Sequence, residues 1–149
     1  MSESKIEVRS LSELDLDDIV RIAEKTRNVY QPELWEDRVT YYLRRDPEAS
    51  VVAERDGRVV GFMLGDLRTG EFGIEEPSGW IEVIGVDPDA RGDGVGRALG
   101  EAMVARYRAR GVKRMRTMVD QSMPEVERFF AALGFVPDSL RPYVMPLQG

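Results

Sequence analysis

The run VIGVDPDARGDGVGRAL, Val83 to Leu99, decides how this chain is read. It sets Gly92, Gly94 and Gly96 between an apolar, strand-like run and an amphipathic, helix-like one. The first turn of a helix leaves its N–H groups unbonded, and the helix dipole adds positive character there. Missing Cβ atoms let an anion's oxygens approach the main chain, so a strand, a glycine turn and a helix start together suit a phosphate. Two familiar spacings fail. A dinucleotide loop, G-x-G-x-x-G, ends on Arg97 when counted from Gly92 and on Leu99 when counted from Gly94. A G-x-x-x-x-G-K-[ST] loop also lands on Arg97, followed by Ala98. The spacing that fits is R-x-x-G-x-G, at Arg91, Gly94 and Gly96.

The 149 residues predict one domain, 1–149, long enough to bury a core. With 42% hydrophobic and 32% charged residues the composition is that of a globular chain, and no apolar run is long enough to span a bilayer. No signal-peptide pattern opens the sequence, so a cytoplasmic location and no membrane partner are expected. The chain has no cysteine and no histidine. That removes Cys-His and Ser-His-Asp catalysis and leaves no ordinary zinc ligand set, so no metal is expected. A net charge of −6 argues against nucleic acid as a partner. The charge is uneven: residues 1–86 hold 11 Lys/Arg against 19 Asp/Glu, a net −8, while residues 87–149 hold 10 against 8, a net +2. An anionic ligand is better received by the second part and a cationic one by the first.

Along the chain, Lys5–Ser10 alternates like a strand. A helix follows with Asp15 at its N-cap, and Pro32 opens a second that runs to about Arg45. SVVAE and VVGFMLGDL, joined through Asp56-Gly57, read as a hairpin. A polar loop precedes the strand Trp80–Val86, and a helix spans Val95–Arg110 up to Gly111. Lys113–Asp120 is the next strand. Ser122–Glu125 has the form of a capping box for a short last helix ending at Gly134, and Phe135–Met145 supplies one or two final strands. The tryptophans are expected in the core. The fold class is α/β (α+β): a single-domain, mixed, mainly antiparallel sheet flanked by helices on both faces, its one crossover joining parallel strands.

VDPDARGDGVGRAL resembles the acyl-CoA-binding motif of the GCN5-related N-acetyltransferase (GNAT) superfamily, and FFAALGF, Phe129–Phe135, resembles that family's late helix with its Gly-Phe end. The resemblance covers about residues 5 to 145. It implies acetyl-CoA as donor and a splayed central strand pair, with the acyl group entering the splay. The main-chain N–H groups of Gly92, Asp93, Gly94, Val95, Gly96 and Arg97 then hold the pyrophosphate, with the Arg97 side chain available for a phosphate oxygen and Arg91, the arginine of the motif, also a cofactor-binding residue. The pantetheine arm lies along Ile84, Gly85 and Val86, where an N–H near Gly85 polarises the thioester carbonyl. Phe130 packs on the cofactor. Homodimers are common in the family, so a homodimer is implied too.

Acetylating an amine requires taking a proton from an ammonium, and without histidine a carboxylate is the natural base. Glu82 is the candidate: strict alternation puts it with Ile84 and Val86 on one face of a central strand, and some polyamine-acetylating relatives carry a glutamate at the matching place. Two departures stand out. The position of the family's proton-donating tyrosine is Phe130, and that of a pantetheine-contacting asparagine is Met123. Tyr143, Tyr107, Tyr42 and water stay open as replacements for the acid. Asp66, Asp120 and the acidic loop Glu71–Glu76 are further polar candidates around the cleft. The expected activity is direct transfer of acetyl from CoA to a primary amine: a small amine or polyamine, or a protein N-terminus or lysine. The alternative is a non-catalytic CoA-binding regulatory module of the same fold.

Overall fold

The computed structural model describes residues 5–148. Along the chain run strand β1 (Glu7–Ser10), helices α1 (Leu16–Arg27) and α2 (Pro32–Arg45), and strands β2 (Val51–Arg55), β3 (Arg58–Arg68) and β4 (Ser78–Val86). Helix α3 (Val95–Ala109), strand β5 (Arg114–Thr117) and helix α4 (Pro124–Leu133) follow. The sheet order is β1-β2-β3-β4-β5. Pairing is antiparallel up to β4 and parallel between β4 and β5, because α3 is a crossover that brings the chain back to the same end.

Helices cover both faces, as expected. On one, α1 and α2 bury Ile19, Ile22, Trp35 and Val39 with Phe62 and Leu64 of the sheet. On the other, α3 and α4 bury Leu99, Met103 and Phe130 with Met63 and Ile81. Each such side chain contributes roughly 1.5–3 kcal/mol by leaving water. Trp35 and Trp80 are both core residues, 2% and 4% exposed.

Several local expectations are corrected. Asp15 does not cap α1 through its side chain; Ser12 caps a short 3₁₀ turn ahead of the helix, and Asp15 accepts from Ser12 N–H while pairing with Arg9. The Ser122–Glu125 box does not form, because Ser122 donates its N–H and hydroxyl to Asp120 instead and α4 starts after Met123 without a side-chain cap. The strand expected over Lys113–Asp120 is confined to Arg114–Thr117, since β4 offers it only four residues of edge. Phe135–Met145 forms no strand: although Asp138 pairs with Arg116 of β5, the run adds no ladder to it among the described residues, and the sheet ends at β5.

The decisive irregularity lies in the middle of β4. The β3·β4 register slips by one residue, so that Leu64 faces Val83 but Gly65 faces Ile81, and Glu82 is left as a bulge. Gly65 permits this, since a Cβ there would stand 2.1 Å from the Trp80 carbonyl oxygen. On its other edge β4 pairs with β5 only from Ser78↔Arg114 to Ile81↔Thr117. Residues 82–86 therefore run on beside a gap, and the central pair splays.

Candidate active site

The bulge changes the surroundings of Glu82. Ile81, rather than Glu82, joins Ile84 and Val86 on the α3/α4 side, while Val83 packs toward α1 and α2. The alternation expected for Glu82 fails because the extra residue consumes half a period of the strand. Glu82 instead stands beside Trp80 on the α1/α2 side, in an ion pair with Arg68. The Arg68 guanidinium lies 5.4 Å from the Trp80 ring centre and donates from Nε to Asp66 at 2.7 Å. Asp66 is buried, with Arg45 Nε of α2 at 2.6 Å from its second oxygen. Arg45, Asp66, Arg68 and Glu82 thus form a line of alternating charge from α2 to the splay, and Glu82 at its end is 40% exposed. Phe72, with a left-handed backbone (φ 52°), sets its ring 6.2 Å from that of Trp80. In the acidic loop around it, Glu76 is taken up by Arg114.

The gap beside β4 is lined by main chain. Asp87 N–H donates to Val60 O at 2.8 Å, which fixes the phase of the ladder. Alternation then turns the N–H and C=O groups of Val83 and Gly85 toward β3 and those of Ile84 and Val86 toward the gap. Gly85 itself has a packing reason to be glycine: its Cβ would meet the Phe62 ring at 2.4 Å. The side chains of Ile84 and Val86 belong to the α3/α4 core, so it is their backbone that faces outward.

Past β4 the glycines divide by role. Gly92 (φ 87°) and Gly94 (φ 84°) take left-handed conformations that cost other residues roughly 1–2 kcal/mol. Gly96 lies inside α3, and its Cβ would meet the Phe129 ring of α4 at 3.0 Å. The turn needs two glycines, and helix packing explains the third. The first N–H of α3 that closes a backbone bond is that of Ala98, to Gly94 O, which leaves those of Val95, Gly96 and Arg97 directed at the loop. Arg91 is exposed and has no ion-pair partner among the described residues, whereas Arg97 leans on Glu101 at 2.8 Å. Asp93 is held by Arg55 at 2.8 Å, tying the loop to the β2–β3 hairpin. Val95 is buried, so only its main chain is available.

Phe130 is buried between Phe129 and Phe135, ring centres 5.0 and 5.2 Å away, at the wall between α4 and the sheet. Of the tyrosines, Tyr42 is buried; burial, followed by the charge of Asp66, pushes its phenol pKa up. Tyr107 lies over Gly79 with its hydroxyl buried and without a hydrogen-bond partner among the described residues, and burial raises its pKa as well. Tyr143 is almost fully exposed. None of the three hydroxyls is hydrogen-bonded to Glu82, whose partner is Arg68. Asp120 is engaged with Ser122.

One residue was not legible as a site member. Asp87, at the hinge between β4 and the loop, is 5% exposed and accepts from Arg21 and Lys25 of α1, each at 2.7 Å, and from Asp89 N–H. Its signal is an acidic residue directly before a proline at a strand end. Burial alone would raise the Asp87 pKa, but Lys25, Arg21 and the Asp89 N–H outweigh it and hold the carboxyl well below the usual range. A carboxyl depressed in the fold contributes stability above the unfolded value, and loses it as the pH falls below about 4. Asp87→Asn should therefore lower stability near neutral pH by about 2 kcal/mol, since it strands two part-exposed cations. The difference from the parent should shrink in acid, as urea melts at several pH values would show.

Among solved structures, an aminoglycoside N-acetyltransferase in complex with CoA superposes with a TM-score of 0.82 at 18% identity, covering 98% of this chain and 97% of that one. Ard1 from Thermoplasma volcanium gives 0.76 at 27% identity, covering 90% and 84%. Among curated sequences, a mycothiol acetyltransferase of Thermobispora bispora is 39% identical over 90 residues, 60% of this chain and 30% of that protein. An L-2,4-diaminobutyric acid acetyltransferase of Nocardia farcinica is 36% identical over 93 residues, 62% and 46%. The chain thus spans less than half the length of these two curated relatives. None of the described helices is long and apolar enough to cross a membrane. The Acetyltransferase (GNAT) family model matches residues 16–135, from the start of α1 past the end of α4, and the chain belongs to that family.

Proposed function

We propose that residues 1–149 form one domain that transfers an acetyl group directly from acetyl-CoA to a primary amine. One observation carries this reading. The outward-facing backbone of Ile84 and Val86 leads straight into the open N–H groups at the start of α3, and the Glu82 carboxylate lies at the bulge where the splay begins. An extended amide-containing arm ending in a pyrophosphate matches that sequence of donors and acceptors. The left-handed turn at Gly92 and Gly94 leaves open space where a Cβ would stand, which suits the close approach of an anion.

In this reading Ile84, Gly85 and Val86 receive the pantetheine arm. The main chain of Gly92, Asp93, Gly94, Val95, Gly96 and Arg97 holds the pyrophosphate, while Arg91 supplies an uncommitted positive charge. Asp93 serves through its backbone, its carboxylate being occupied by Arg55. Arg97 reaches a phosphate oxygen by letting go of Glu101. Phe130 closes the wall behind the site. Acetyl-CoA, when bound, supplies an activated acetyl thioester. Glu82 takes a proton from the substrate ammonium, directly or through one water, and leaves nitrogen its lone pair. Arg68, held by the buried Asp66, fixes where that carboxylate stands. The gap-facing N–H groups beside Gly85 draw charge from the thioester oxygen. With no hydroxyl on Phe130, the departing sulfur receives its proton from water.

The acceptor approaches from the α1/α2 side, past Phe72 and Trp80. The names of the curated relatives, mycothiol and diaminobutyric acid acetyltransferases, favour a small polar amine over a protein N-terminus or lysine. A cytoplasmic location and a homodimeric state belong to the same reading. The experiment is a calorimetric titration with acetyl-CoA, followed by an amine panel read out as free CoA thiol. Saturable binding with amine-dependent thiol release is the expected result. Binding without release would turn the reading to the regulatory module that the loss of the Phe130 hydroxyl favours, and no binding would overturn it.

A further inference from the structure

A half-buried guanidinium brings several donors and a charge out of full solvent, and in a folded chain it ordinarily finds an acceptor. Arg9, Arg21, Arg55, Arg68, Arg106 and Arg116 are half-buried, and each donates to a carboxylate or a hydroxyl. Arg38 of α2 is half-buried too, yet it has no hydrogen bond and no ion pair among the described residues. Its guanidinium lies over the Trp35 ring, 4.7 Å from the centre. The helix itself offers no carboxylate: the residues one turn away are Leu34, Trp35, Tyr41 and Tyr42. Stacking holds the group in place and leaves its N–H edge unused. A second guanidinium, that of the exposed Arg27, stands 5.7 Å from the same ring centre and also lacks an anionic partner among the described residues.

These charges stand on the α1/α2 side of the sheet, the side of Glu82. The Phe62 ring meets both Trp35, centre to centre at 5.6 Å, and the place where a Cβ of Gly85 would be. Arg38 is thus two ring contacts away from the strand that runs beside the splay. The Tyr42 phenol, one turn further along α2, feels Asp66 and Arg68 as well as Arg38, so Arg38 lies near the charge line that ends on Glu82. Within that line Arg45, Asp66, Arg68 and Glu82 balance one another, and Arg38 adds a positive charge that they leave unanswered. The acidic loop before β4 does not answer it either, since Glu76 pairs with Arg114 and none of the loop's acids pairs with Arg38. We propose that Arg38 receives a carboxylate carried by the acceptor itself: the substrate is an amine of the amino-acid type, its ammonium directed to Glu82 and its carboxylate to the Arg38 fork. This assignment rests on the transferase reading given above. One guanidinium matches one carboxylate both in charge and in planar, two-pronged geometry. The selection has a repulsive side as well. A plain diamine or polyamine would bring its second ammonium up to two uncommitted guanidiniums, with no carboxylate to neutralise them.

The test separates binding from turnover. Matched amines that differ only in the carboxylate (ornithine against putrescine, lysine against cadaverine, β-alanine against ethylamine) are titrated calorimetrically into the full chain with CoA present, so that no acetyl group moves. In at least one pair the carboxylated member should bind about 10-fold tighter or more, the scale of one charge-assisted pair. Arg38→Met keeps a long side chain over Trp35 and removes the charge, and it should bring the carboxylated member down to the affinity of its plain partner. With acetyl-CoA in place of CoA the same preference should appear in KM and not in kcat. The proposal is overturned if no carboxylated member binds, if the two members of every pair bind alike, or if Arg38→Met weakens both members equally. Carboxylate-selective binding that Arg38→Met abolishes, without thiol release from acetyl-CoA, supports the Arg38 site and places the failure on the transferase reading instead.

Discussion

Gly94→Val should weaken acetyl-CoA binding at least about 100-fold while leaving the protein folded. Gly94 caps α3 with φ at 84°, and a β-branched residue there faces a cost of roughly 1–2 kcal/mol. The space around its Cβ is open, so the effect comes from backbone conformation and not from collision. The chain relieves it most cheaply by turning the peptides on either side, and that breaks up the group of N–H donors at the start of α3. Calorimetry reads the loss, and a thermal melt lowered by only a few degrees shows that the fold persists. Gly96→Ala makes the contrast, because its new methyl group presses on Phe129 and should act on the α3/α4 contact first. Unchanged affinity in Gly94→Val would remove the loop as the phosphate site.

Glu82→Gln should slow amine-dependent thiol release by about 10²-fold or more, the usual scale for losing a general base, with acetyl-CoA affinity unchanged. The amide keeps the shape of the carboxylate and can still accept from Arg68, but it cannot take a proton at working pH. Arg68 remains anchored through Asp66, so the substitution should not release the buried end of the charge line. A purely structural ion pair gives the opposite pattern: stability drops and turnover does not. Turnover within about two-fold of the parent, with a lowered melting temperature, would reassign Glu82 to structure.

The sequence carried the βαβ unit and the glycine loop in plain view, because strand, turn and helix each leave a local signature. The hairpin at Asp56-Gly57 and the acidic start of α1 are local in the same sense. The side on which Glu82 stands was not legible: it depends on the slip at Gly65, made by two strands distant in sequence. A partial signal was present, since a glycine inside an apolar strand often marks a bulge. The network of Arg45, Asp66 and Arg68 was hidden for the same reason, as its members come from α2 and β3. Ser122 looked like a cap until Asp120, two residues away, proved the nearer partner for its hydroxyl. The one or two strands expected over Phe135–Met145 do not form, because a strand needs an edge to pair with and the sheet ends at β5.

The outward turn of Ile84 and Val86 has a consequence for hydrogen exchange. These two amides sit in the middle of a sheet, where protons ordinarily exchange only when the whole domain opens. Lacking a strand partner on their side, they should exchange with solvent deuterium as fast as a loop, while Val83 and Gly85 between them stay slow. Any ligand laid along that edge would bring the fast pair into line with its neighbours. The protein thus contains its own residue-by-residue recorder of occupancy, one that reports binding whether or not the right amine has been found.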